Sequence, residues 1–263
     1  MLRKLLKYDL KNIFKFLLIF YSLAFFFALL TRIFLNIEGS FIINIIGQIC
    51  SGVTISMIFN ILINNLMQLW IKFKNNFYKD EAYLTHTLPV TKKDLYLSKI
   101  LSAIISLFMS ALVIGITLFI AYYSKENILM LQKILLPIAD AYDSTIIKIL
   151  LSFLFIFFLE FANAAQSGYS GIIMGYKMNN AKTGFSILFG FITYMFIQLI
   201  VLFLIFLTAL FNSDLMNLFF TNQIPNFGLL KLIIYLAIGI YAVTFIIGYI
   251  VNLKLFKKGV NIE

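Results

Sequence analysis

Glu160 stands in the middle of an apolar run, LSFLFIFFLEFANAAQSGYSG, where a carboxyl group is costly. Asn163, Ser167 and Ser170 follow it at i+3, i+7 and i+10, so a helix carries all four on one face. Such a face has two readings. It bonds to a neighbouring helix with Glu160 protonated, or it lines a transport pathway. A second polar stripe, Ser56, Asn60, Asn64 and Gln68, repeats every four residues and divides the same way, between helix-to-helix glue and substrate contact. Ala164, Gly168, Gly171 and Gly175 add a small-residue stripe that suits close helix contact.

Catalytic constellations are missing. One histidine, His86, and one cysteine, Cys50, build no His/Cys metal cluster and no intrachain disulfide. No serine sits in a GxSxG elbow or beside a His/Asp set. Glu160 is alone well inside a span, so the paired carboxylates of an intramembrane protease are lacking too. There is no GxxxxGK[ST], hence no nucleotide site of the P-loop type. The chain is expected not to be an enzyme by itself.

The elements that must position these residues follow from composition. The 263 residues are 62% hydrophobic, with a mean hydropathy of +0.98. Continuous apolar runs of about 20 residues read as transmembrane helices, and the alternation of a β-barrel is absent. The expected fold is all-α and integral to the membrane, a single domain over 1–263. Its six spans are placed at 16–35, 45–71, 98–122, 145–176, 185–211 and 229–251. Residues 1–15 are amphipathic, with Leu2, Leu5, Leu6, Leu10, Ile13 and Phe14 opposite Lys4, Lys7, Lys11 and Lys15. They read as a helix in the headgroup layer, followed by a retained first span rather than a cleaved signal. Arg32 is expected to snorkel outward or to pair with Glu38. Ser98, Ser102, Ser106 and Ser110 form another close-packing stripe. An outer helix over 126–138 is expected to stop near Pro137.

The net charge of +10 is read as lysines at the cytoplasmic face of a membrane protein, and no aromatic platform interleaves the lysines of the N-terminal helix as nucleic-acid binding would need. Sixteen of the 21 basic residues fall on one side of the six spans, which predicts both termini in the cytoplasm.

That side carries the most unusual stretch, KFKNNFYKDEAYLTHTLPVTKKDLYLSK from Lys72 to Lys99. Its nine charges are expected in water or against a soluble partner. Asp80 reads as an N-cap, with Glu81 in the first turn of a helix reaching Thr87 before Pro89 blocks it. Thr91-Lys92-Lys93-Asp94 reads as a capping box opening the next helix. Exposed Tyr83, Leu84 and Leu88 point to a docking surface, and His86 reads as a polar contact there.

DEAYLTHTLPVTKKDLYLSKIL strongly resembles the segment after the second span in bacterial ABC-transporter permeases of the second type, which typically reads like DEGYLTFTLPVS…LLLSKLL. The opening MLRKLLKYDLKNIFK is similar to that family's start. Ala82 departs from the family's usual glycine. The resemblance implies a six-span permease subunit in the bacterial plasma membrane, working as a homo- or heterodimer. It implies that residues 76–95 form a coupling segment. Asp80, Glu81, Tyr83, Leu84, His86, Leu88 and Pro89 then contact a separate ATPase subunit, which holds ATP and Mg; this chain carries no cofactor. The implied cargo is hydrophobic or amphipathic: a toxin or antimicrobial peptide, a drug or a lipid. Ser56, Asn60, Asn64, Glu160, Asn163 and Ser167 are the candidate pathway residues. The rival expectation is an ATP-independent secondary transporter or a membrane immunity protein using Glu160.

Overall fold

In the computed structural model the described residues are 1–37, 41–79, 81–141, 144–212, 215–216 and 227–258. Their elements are helices: α1 (Leu2–Leu35), α2 (Phe41–Tyr78), α3 (Ala82–Thr87), α4 (Lys92–Tyr122), α5 (Lys125–Ala141), α6 (Ile146–Gly175), α7 (Lys182–Leu210) and α8 (Phe227–Lys257). Six of them (α1, α2, α4, α6, α7 and α8) are long and apolar enough to cross a membrane. The architecture is that of an all-helical, multi-pass membrane protein.

Several boundaries differ from the sequence expectation. Residues 1–15 and 16–35 form one uninterrupted helix, since no glycine, proline or capping residue separates them. The second span runs on to Tyr78 and takes Lys72 and Lys74 into α2. The last span continues two turns past Val251. α5 does not stop at Pro137 but continues to Ala141. Ala139 is buried against Ile149, with Ile138, Ile146 and Ile234 around them, and this packing holds the turn that proline alone would end. Glu38, Asp80 and Asp214 lie outside the described residues.

The chain divides into two compact units. The first comprises Met1–Asn75 and Thr87–Leu129. In it α1 and α4 run parallel: Asp9 meets Lys99, Tyr21 meets Ser110, and Arg32 Nη1 donates to the Ile120 carbonyl at 3.4 Å. α2 runs the opposite way, pairing Thr54 with Thr31, Ser51 with Tyr122, Asn65 with Ser110, and Phe73 with Tyr96. The buried face of α1 is Asp9, Ile13, Leu17, Tyr21, Ala24, Ala28 and Thr31, while Lys4, Lys7, Lys11 and Lys15 are exposed. Ser98, Ser102, Ser106 and Ser110 are all buried, as a small hydroxyl stripe should be where helices approach closely.

The second unit comprises Asn76–His86 and Met130–Glu263. Here α6 and α8 are parallel, with Asn163 at Thr244 and Ser170 at Asn252, and α7 is antiparallel to both. The small-residue stripe lies at the α6–α7 crossing. A Cβ on Gly171 would strike the backbone of Ser186 and Gly190, and one on Gly175 would strike Ser186. Only glycine permits that approach. Leu159, Val201, Ala237 and Tyr241 form the apolar core among α6, α7 and α8.

Candidate functional site

α3 up to His86 belongs with the second unit, together with Asn76, Phe77 and Tyr78 at the end of α2. The preceding turn is closed by the Ala82 N–H donating to the Lys79 carbonyl at 2.8 Å. α3 begins at Ala82, so Glu81 sits in that turn rather than inside the helix. Asp80, expected as its cap, lies outside the described residues. Ala82 is fully buried, a position for a small side chain. Thr85 Oγ1 donates back to the Glu81 carbonyl at 2.9 Å. His86 Nε2 lies 3.2 Å from the Phe77 carbonyl oxygen, a polar contact of the kind expected for it. Pro89 follows in a bend after α3. Thr91 then opens α4 as its N-cap: the Asp94 N–H donates to Thr91 Oγ1 at 3.1 Å, and Thr91 Oγ1 donates to Asp94 Oδ2 at 2.8 Å.

The outer surface of this segment is apolar. Tyr83 is 70% exposed, Leu84 72% and Leu88 38%. Phe77, which His86 contacts, and the adjacent Tyr78 each pair with another ring. Phe77 stands edge-on to Phe256 with centroids 4.8 Å apart, and Tyr78 lies 4.7 Å from Tyr176. Lys182 Nζ sits over the Tyr176 ring at 5.8 Å. These aromatic partners are absent from the sequence expectation. Phe256 had a signal, an apolar residue between lysines one turn beyond the sixth run.

Lys99 does not belong to a solvated island. It is buried in α4, where its ammonium donates to Asp9 Oδ1 at 2.5 Å, and Ser98 Oγ donates to Asp9 Oδ2 at 3.2 Å.

The candidate pathway residues fall into two sets. Ser56, Asn60 and Asn64 form a ladder along their own helix. Asn60 donates to the Ser56 carbonyl and Asn64 to the Asn60 carbonyl, both at 2.9 Å on their own helix, and Ser56 is exposed. The neighbouring Asn65 is the fully buried one. It donates to Ser110 Oγ at 2.7 Å and accepts from Ser106 Oγ at 3.0 Å.

Glu160, Asn163 and Ser167 do share a face of α6, and it is a bonded ladder. Tyr194 O–H donates to Glu160 Oε1 at 3.1 Å. Asn163 Nδ2 donates to the Tyr241 carbonyl, and its Oδ1 accepts from Thr244. Ser167 Oγ donates to the Asn163 carbonyl, and Ser170 Oγ to Asn252 Oδ1 at 2.6 Å. Between these rungs Gln166 is buried against Gly248, and neither of its amide heteroatoms has a hydrogen-bond partner among the described residues. The ladder joins α6 to α7 and α8, and Glu160 at its end is half-buried.

Among the described residues no group of His, Cys, Asp or Glu is placed to hold a metal ion. Comparison with family models, with characterised proteins and with solved structures found no match.

Proposed function

We propose that this chain is the membrane-spanning permease subunit of an ATP-driven exporter of the bacterial plasma membrane, and that α3 docks a separate ATPase subunit. The observation that carries the reading is the two-sided character of Ala82–Leu88. Its inner side is anchored through Ala82, His86 and Phe77, while Tyr83, Leu84 and Leu88 are presented outward. Exposed apolar residues rimmed by charge mark a protein-docking surface. Lys79 and Glu81 precede this stretch in sequence. The local motif supports the same partner, because DEAYLTHTLP resembles the coupling segment of permeases whose ATPase is a separate chain. The missing P-loop fits an ATP site on that partner, with its Mg. Two copies of the chain, or a paralogous pair, then enclose the pathway for a hydrophobic or amphipathic cargo.

The test is the double substitution Leu84→Asp with Leu88→Asp. Charging the two anchors is expected to abolish co-purification of the ATPase while thermal stability in detergent stays near wild type, since both positions are exposed. A double variant that still carries its ATPase and still transports would refute the docking claim.

ATP-independent transport or immunity through Glu160 is the second reading, supported by that half-buried carboxyl at the end of the α6 ladder. Glu160→Gln keeps an acceptor for Tyr194 and removes the ionisable group. Under the Glu160 reading a pH gradient drives transport in ATP-free vesicles and this variant abolishes it; under the ATPase-driven reading the wild-type chain transports nothing without ATP and its ATPase.

A further inference from the structure

Four rings at the ends of α2, α6 and α8 have side chains almost completely withdrawn from the surface: Phe77 at 0%, Tyr78 at 1%, Tyr176 at 0% and Phe256 at 0% exposure. They come from three places in the chain. Phe77 and Tyr78 are the last two residues of α2, Tyr176 caps the C-terminus of α6, and Phe256 lies in the last turn of α8. The last turn of α2 thus touches two different helices through two adjacent side chains. Phe77 takes α8 and Tyr78 takes α6. His86, near the far end of α3, returns to the Phe77 carbonyl and makes a ring contact with Phe77 at 6.1 Å. Phe77 is therefore held from both sides, by α3 and by α8.

Buried aromatic pairs resist sliding. Each ring fills a fixed volume, and its edge-to-face geometry is specific. Close-packed interiors transmit displacement rather than absorb it. A load applied at Tyr83 and Leu84 has a short packed route inward: α3, His86, Phe77, then Phe256. Tyr78 and Tyr176 give a parallel route into α6. Beyond them the α6–α8 pair is tied by Ser170 to Asn252 and by the Asn252 amide to the Gln166 carbonyl at 3.2 Å.

We propose that Phe77, Tyr78, Tyr176 and Phe256 form a clasp that makes α3 move as one body with the ends of α6 and α8, so that these two helices receive the motion of a docked partner. The four are positioning residues. They touch neither the partner nor cargo, and act by fixing α3 to the helices it drives. The inference rests on the reading of α3 as an ATPase-docking helix.

The experiment uses the purified complex of this chain with the ATPase it brings from the membrane. Amide hydrogen exchange is followed with and without ATP. In the wild-type complex, ATP is expected to change exchange in α3 and equally at 172–178 and 252–258. In Phe77→Ala with Phe256→Ala, the ATPase still co-purifies and α3 still responds, but the change at 172–178 and 252–258 falls by more than half. Tyr78→Phe with Tyr176→Phe keeps both rings and behaves as wild type. If truncation to alanine unfolds the chain, Phe256→Leu keeps the bulk without the ring and is expected to lose the response at 252–258 first. An undiminished response at the α6 and α8 ends in the folded ring-deleted variants, or no response there in wild type, overturns the clasp. A wild-type chain that brings no ATPase overturns the docking reading itself, and is distinguished by the absence of any complex to examine.

Discussion

The ammonium of Lys99 donates to Asp9 Oδ1 across 90 positions of sequence, and the two side chains are only 7% and 8% exposed. The pair pins the first turns of α1 to the first turns of α4. A buried charge left alone is expensive, whereas a matched apolar replacement of both partners is often harmless. Asp9→Ala or Lys99→Met alone is expected to cost about 3 kcal/mol or more. Asp9→Leu combined with Lys99→Met should recover most of that loss. Unfolding midpoints of the three variants in detergent micelles check the sign of the coupling. Additive losses would mean that the two groups do not act as a pair.

Asn65 and Asn64 are adjacent in sequence and opposite in role. Asn65 bridges α2 to Ser106 and Ser110 of α4, while Asn64, among the described residues, bonds within its own helix. Interhelical side-chain bonds in membrane proteins are each worth about 0.6 kcal/mol. Asn65→Ala is expected to lower stability by about 1 kcal/mol, and Asn64→Ala to leave it within experimental scatter. The same unfolding assay decides between them.

Gly171 and Gly115 predict opposite outcomes for one chemical change. A methyl on Gly171 meets the backbone of α7, which cannot step aside, whereas a methyl on Gly115 meets open space. Gly171→Ala is expected to reduce the yield of folded protein and to loosen the α6–α7 contact. Gly115→Ala should be neutral or stabilise by up to about 1 kcal/mol through helix propensity. Folded yield by size-exclusion chromatography, followed by thermal unfolding, measures both.

Gln166 has a buried amide without a hydrogen-bond partner among the described residues, while Asn163 three positions earlier bonds to α8 twice. Removing an unsatisfied buried polar group relieves its desolvation cost, and removing a satisfied one strands its partners. Gln166→Met is expected to hold or raise the unfolding temperature. Asn163→Leu is expected to lower it, because both of its bonds to α8, at Thr244 and at the Tyr241 carbonyl, are lost.

Much of this arrangement can be read from the residues. The six apolar runs dictate six long helices, since a backbone in lipid must satisfy its own hydrogen bonds. Thr91 with Asp94 announced the start of α4, and the serine repeat announced its packing face. The contacts that fix the interior were harder to see. Asp9 lies among lysines in a stretch that looks like a charged surface, and its partner is 90 residues away. Asn65 hides beside a more regular polar stripe, one helical step away from the face that stripe defines. Phe77 and Tyr78 read as part of a solvated island because the lysines around them set its average character. Pro137 marks a helix end only until Ala139 packs against Ile149 and holds the next turn.

The central claim is that α3 docks an ATPase, and the most direct test is affinity purification of this chain from its native membranes, with the associated proteins identified by mass spectrometry. The account predicts a P-loop ATPase in equal molar amount, lost when Leu84 and Leu88 carry aspartate. A folded wild-type chain that emerges without any P-loop ATPase would contradict it.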